Sequence, residues 1–135
     1  MTVGYMVRPF FGDTEKRILD VEAKELAEQI RLAQELSVTE NKRYRLVFDV
    51  NAGTYRTQKQ SARPNGITWE DTEVFTLSKP VQFGSALSNG NIIEFTNRGT
   101  TATPTTILLE SSHYFVKLTV NLGAGRVLIE EIQKN

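Results

Sequence analysis

The sequence predicts an α+β domain in which one long N-terminal helix packs against antiparallel sheet. Three observations carry this: residues 13–38 hold the only long helical period, everything after Lys42 reads as short runs of period two, and turn residues separate those runs. In the helix, Leu19, Ala23, Leu26, Ile30 and Ala33 recur at spacings of four and three and line one face, with Val21, Ala27, Leu32 and Leu36 widening the stripe. Asp13 is placed to cap the free backbone N–H groups, Glu15 sits in the first turn where the helix dipole favours an anion, and Gly12 breaks the chain before it.

The strands follow in order. In residues 43–50, Tyr44, Leu46, Phe48 and Val50 alternate with Arg43, Arg45 and Asp49, the pattern of a half-buried strand; Asn51-Ala52-Gly53 turns the chain and residues 54–57 return. Residues 58–71 are polar, contain Pro64-Asn65-Gly66, and read as the longest loop, a place where binding specificity varies. Residues 73–77 and 81–87 are short strands broken near Pro80, and Asn89-Gly90 signals a hairpin into residues 92–96. Residues 105–110 and 113–120 form a hairpin across Ser111-Ser112, residues 121–125 turn, and residues 126–132 close the sheet.

At 135 residues the chain is the length of one domain, and its hydrophobic fraction of 39% suffices for a core. Sixteen basic and sixteen acidic side chains cancel, so no global charge draws it to nucleic acid or an anionic membrane. The absence of cysteine excludes thiolate chemistry and a disulfide framework. No apolar run reaches the roughly 18 residues of a membrane span, and residues 1–11 do not make a signal peptide. The apolar stub at residues 1–12 reads either as an arm packed on the body or as the end of a longer hydrophobic helix kinked at Pro9.

Little in the chain resembles catalytic or metal-binding machinery. Asp49, Asn51 and Gly53 open like a calcium loop, but the twelfth position falls on Gln60, which lacks a carboxylate, so a plain hairpin is expected. Glu70, Asp71 and Glu73 cluster beside Trp69, yet neighbours on a strand point to opposite faces, which favours a solvated strand entrance over paired-carboxylate chemistry. His113 is the single histidine and belongs at an exposed turn, and Ser111 and Ser112 lack a nucleophile elbow. No catalytic residue, cofactor or metal site is expected.

The stretch LAEQIRLAQELSVTENKRYRLVFDVNAGTY, followed by short strands and the closing YFVKLTVNLGAGRVLIEEI, resembles the GspH/FimT family of pseudopilins and minor type IV pilins. The matching positions are Leu26, Ala27, Ile30, Arg31, Ala33, Phe48, Tyr55, Phe95, Gly99, Tyr114, Val116, Gly125 and Arg126, within roughly residues 9–132. The resemblance implies a pilin-like fold and a non-enzymatic subunit of a type II secretion pseudopilus or a type IV pilus. It further implies an extracytoplasmic domain on a single-pass inner-membrane helix, cleaved and methylated at its N-terminus by a prepilin peptidase, with other pilin or pseudopilin subunits as partners. The Gly-Phe-Thr-Leu-x-Glu processing motif and its apolar run are missing, as expected of a chain that begins near the end of that helix.

Two surfaces are expected to meet neighbouring subunits: the polar face of the helix, through Glu15, Glu22 and Glu28, and the 58–71 segment, through Arg63 and Asn65. An alternative is a DNA-binding minor pilin serving natural transformation, centred on Arg126. Against it, Gly125-Arg126-Val127-Leu128 has a leucine where the Gly-Arg-x-Arg motif has a second arginine, and Glu130 and Glu131 follow. A second alternative is a soluble ligand-binding β-domain unrelated to pili.

Overall fold

The computed structural model describes residues 3–84, 91–101, 105–120 and 127–134, with the backbone alone for residues 3–13 and 63. One helix, α1 (Val3–Thr39), precedes the strands β1 (Tyr44–Asp49), β2 (Thr54–Arg63), β3 (Gly66–Thr76), β4 (Gln82–Phe83), β5 (Ile92–Phe95), β6 (Thr105–Glu110), β7 (Tyr114–Val120), β8 (Val127–Ile129) and β9 (Gln133–Lys134). The strands are antiparallel and fall into two sheets, one ordered β3-β2-β1-β5 and the other β4-β6-β7-β8 with β9 also paired to β7.

The expected helix start at Asp13 is corrected: α1 runs without a break through Pro9 and Gly12. A proline removes one backbone hydrogen bond and a glycine costs about 1 kcal/mol of propensity, but propagation is cooperative and carries a helix across isolated breakers. The far end stops where the sequence placed it. Asn41 adopts φ 55°, its N–H bonds to the Val38 carbonyl, and the Lys42 N–H bonds to the Ser37 carbonyl. This paired closure satisfies carbonyls that a helix end leaves open, with asparagine filling the left-handed position usually taken by glycine.

The principal stripe lies where the period put it, since Leu19, Ala23, Leu26, Ala27, Ile30 and Ala33 are all buried. Val21 and Leu32 do not widen it; both are exposed on the opposite side of the helix. Helix α1 packs on β1 and β5 of the first sheet and on β6, β7 and β8 of the second, so a single stripe serves both. Tyr44, Leu46, Phe48, Tyr55, Ile93 and Phe95 meet it from one sheet, and Ile107, Leu109, Val116, Leu118 and Val120 from the other. The Phe48 and Phe83 rings join the two layers edge to face at 5.6 Å.

The largest correction concerns residues 58–71, expected as a loop. They are the outer halves of β2 and β3, paired out to Arg63 and Gly66 around a two-residue turn at Pro64-Asn65. The expected strand over residues 73–77 is the continuation of β3, and of the closing strand expected over residues 126–132 only β8 forms, with β9 following just beyond it. The Asn89-Gly90 hairpin and the turn over residues 121–125 lie outside the described residues.

Candidate functional site

The surfaces expected to make contacts are the outer face of α1 and the β2–β3 hairpin. On α1, Val21, Lys24, Glu25, Glu28, Arg31, Leu32 and Glu35 are exposed. Val21 and Leu32 are eleven residues apart, close to three full turns, so two apolar side chains project from the same side of the charged face. Lys24 pairs with Asp20 at 3.0 Å, and Arg31 reaches Glu28 at 3.4 Å; both are surface pairs of the kind that add little to stability.

Of the three helix glutamates expected to meet neighbouring subunits, Glu15, Glu22 and Glu28, only Glu28 is on that outer face. Glu22 is corrected to a buried position, where its carboxylate accepts the Ser78 N–H at 3.2 Å and ties α1 to the chain just past β3. Glu15 is likewise turned to the body. One of its oxygens accepts Ser111 Oγ at 2.5 Å and the His113 N–H at 2.8 Å, while the other lies 3.1 Å from the His113 ring Nδ1. Burial alone would raise the Glu15 carboxyl, but the hydrogen bonds from Ser111 and from the backbone and ring of His113, with the charge that ring can carry, outweigh it and hold it below the ordinary carboxylate value. His113 itself is exposed, as the sequence indicated.

Asn65 stands exposed at the tip of the β2–β3 hairpin, next to Arg63. Further in, the Arg45 guanidinium lies 4.0 Å from the centre of the Trp69 ring and its Nε donates to Gln58 at 2.7 Å. This stack was not foreseen. Its signal was present only in cross-strand register, with Arg45 opposite Gln58 and Trp69 opposite Gln60 on one sheet face.

The acidic cluster beside Trp69 does not converge. Asp71 is committed to Arg56 at 3.0 Å and to Gln58 at 2.7 Å, while Glu70 sits in register with Lys59. Asp49 Oδ1 accepts the Ala52 N–H at 3.1 Å within the β1–β2 turn, as in an ordinary hairpin. Among the described residues no group of three or more histidine, cysteine or carboxylate side chains could hold a metal, and no helix is long and apolar enough to cross a membrane. Arg126, the centre of the DNA-binding alternative, lies outside the described residues.

Compared by sequence with the curated proteins, the chain matches none. Its fold is similar to that of the minor pseudopilin EpsH from the type 2 secretion system of Vibrio cholerae, with a TM-score of 0.68 and 14% identity over 83% of this chain and 95% of that one. It is also similar to the type IV minor pilin FimU of Pseudomonas aeruginosa, with a TM-score of 0.66 and 16% identity over 87% of this chain and 92% of that one. At such identities these likenesses speak to the fold: a helix clasped by antiparallel sheets, as expected from the sequence. The family model of the type II transport protein GspH matches residues 22–124, from the buried stretch of α1 through β7, and the chain therefore belongs to the GspH family.

Proposed function

We propose that the chain is a non-enzymatic structural subunit of a type II secretion pseudopilus or a type IV pilus, acting through contacts with other subunits of the filament. The observation that carries this reading is the GspH match, which runs from the middle of α1 through β7 and so takes in strands of both sheets. In this reading the domain lies outside the inner membrane, held by an apolar helix that runs into α1 and is processed by a prepilin peptidase. Glu28, with Val21 and Leu32 beside it, and the hairpin tip at Arg63 and Asn65 supply the lateral contacts. Glu15 and Glu22 serve the same end indirectly, by fixing α1 to the sheets that flank it.

The test is site-specific photo-crosslinking in cells of the source organism, with a photoreactive residue in place of Glu28 or Asn65 in the full-length precursor. Adducts to other filament subunits are the expected result. If both positions remain uncrosslinked while the protein is present and processed, the interface assignment fails; if the precursor is neither processed nor membrane-held, the filament reading itself fails.

A further inference from the structure

A second surface, on the outer face of the first sheet, carries a charge pattern that the filament reading does not use. Asn41, Lys42, Arg43, Gln60, Ala62, Ile67 and Asn97 line a cleft of about 430 Å³ where the end of α1 comes alongside the outer part of the β2–β3 hairpin, near its turn. We infer that this cleft, with the Arg45–Trp69 stack beside it, is a docking site for an acidic segment of a partner protein.

The polar lining consists of amides and cations, with no carboxylate in it. Arg43 is paired with Glu94 at 2.7 Å. Lys42 has no ion pair among the described residues. Arg45 meets the Gln58 side-chain oxygen and the Trp69 ring, and Glu94, which stands opposite it on β5, has its carboxylate taken by Arg43. Glu40, the nearest acidic residue in sequence, is turned away to accept the Tyr44 hydroxyl at 2.8 Å. Lys42, Arg43 and Arg45 thus outnumber Glu94, the carboxylate set among them, on one sheet face and its border, in a chain whose total charge is zero. Charge complementarity of this kind selects an anionic partner.

The geometry favours a peptide over a small free anion. The cleft is held open by fixed parts: Asn41 sits in the left-handed helix closure and its side-chain oxygen accepts from Asn97 Nδ2 at 2.9 Å, while the opposite wall is the paired hairpin. Ile67 forms an apolar wall that is 65% exposed, and the Trp69 ring, already fixed under Arg45, offers a rigid aromatic rim. An apolar wall, an aromatic and an arginine are the composition of a protein-binding hot spot, and a phosphate would use only the cations. The assignment stands on this lining and does not depend on the filament reading.

Trp69 is the single tryptophan, so its fluorescence reports occupancy directly. The experiment titrates the full 135-residue chain with a capped hexaglutamate peptide, a capped hexalysine peptide and inorganic phosphate, at low and high salt. The expected result is a saturable change with hexaglutamate alone that weakens as salt rises. Lys42→Glu weakens it about tenfold, and Lys117→Glu, the same charge change on exposed β7, leaves it within about twofold. Equal response to hexalysine, equal loss in the two variants, or the same change with phosphate at equal concentration overturns the proposal. So does sedimentation showing that a second copy of the chain occupies the cleft.

Discussion

Glu15 binds His113 twice, through the backbone N–H at 2.8 Å and through the ring at 3.1 Å, and so pins α1 to the turn between β6 and β7 across 98 residues of sequence. The same carboxylate takes the Ser111 hydroxyl. Its folded-state pKa is depressed below 4.5, burial being outweighed by these donors, so the unfolded chain holds the proton more tightly. The latch therefore contributes fully above about pH 4.5, and its contribution disappears as pH falls through the lower folded value. Urea unfolding across that acid limb should show a slope that Glu15→Gln flattens, together with a loss near neutral pH of about 1–3 kcal/mol. An unchanged acid limb in the variant would sink the latch.

Tyr55 and Tyr44 make opposite predictions for the same substitution. The Tyr55 ring stacks between Phe48 and Phe75 at 5.8 and 5.0 Å, but its buried hydroxyl has no partner among the described residues. Burial, then the charges of Glu25, Glu22 and Glu73, push its ionisation upward. Tyr55→Phe removes an orphaned polar atom and should leave stability unchanged or raise it by up to about 1 kcal/mol. Tyr44 donates to Glu40 at 2.8 Å, and burial followed by that carboxylate raises its pKa to about 12. Tyr44→Phe should cost about 1 kcal/mol. A measured loss for Tyr55→Phe as large as that for Tyr44→Phe would show that the Tyr55 hydroxyl is satisfied.

The helix stripe and the alternation of β1 and β7 were legible because each has one buried and one solvated face, and burial writes a period into the sequence. The outer halves of β2 and β3 were not, because neither of their faces lies on the core. Gln58, Gln60 and Ala62 on one face and Lys59 and Ser61 on the other give no alternation to read, and backbone pairing with polar contacts such as Gln58 to Asp71 holds them. Glu22 was misplaced for a related reason: a carboxylate reads as solvated unless its donor is known, and that donor, Ser78, lies 56 residues away. The Arg45–Trp69 stack depends on the same unread register.

Gly99 is fixed by two independent demands. Its φ is +78°, and a Cβ there would come within 2.8 Å of Val38 Cγ2, where the turn after β5 docks on the end of α1. The docking is held by Gln34 Nε2, which donates to the Gly99 carbonyl at 2.9 Å. Gly99→Ala should cost roughly 1–3 kcal/mol in chemical unfolding. Adding Val38→Ala relieves the contact but leaves the backbone strain, so the double variant should recover only part of the loss. Full recovery would mean that the clash alone, and not the left-handed backbone, requires glycine.

Glu28 and Ile30 are two positions apart on α1 and face opposite ways, one to solvent and one to the core. Ile30→Ala leaves a cavity between helix and sheets and should lower stability by about 2–5 kcal/mol. Glu28→Lys removes only a 3.4 Å contact with Arg31 and adds a like charge near Lys24 and Arg31, so thermal unfolding should move by the equivalent of less than about 1 kcal/mol. If the outer face of α1 meets neighbouring subunits, the stable Glu28→Lys variant should assemble poorly in cells, in proportion to the lost complementarity. Assembly at the parental level would leave the β2–β3 hairpin as the remaining candidate contact, because the fold itself is intact in this variant and cannot account for the outcome.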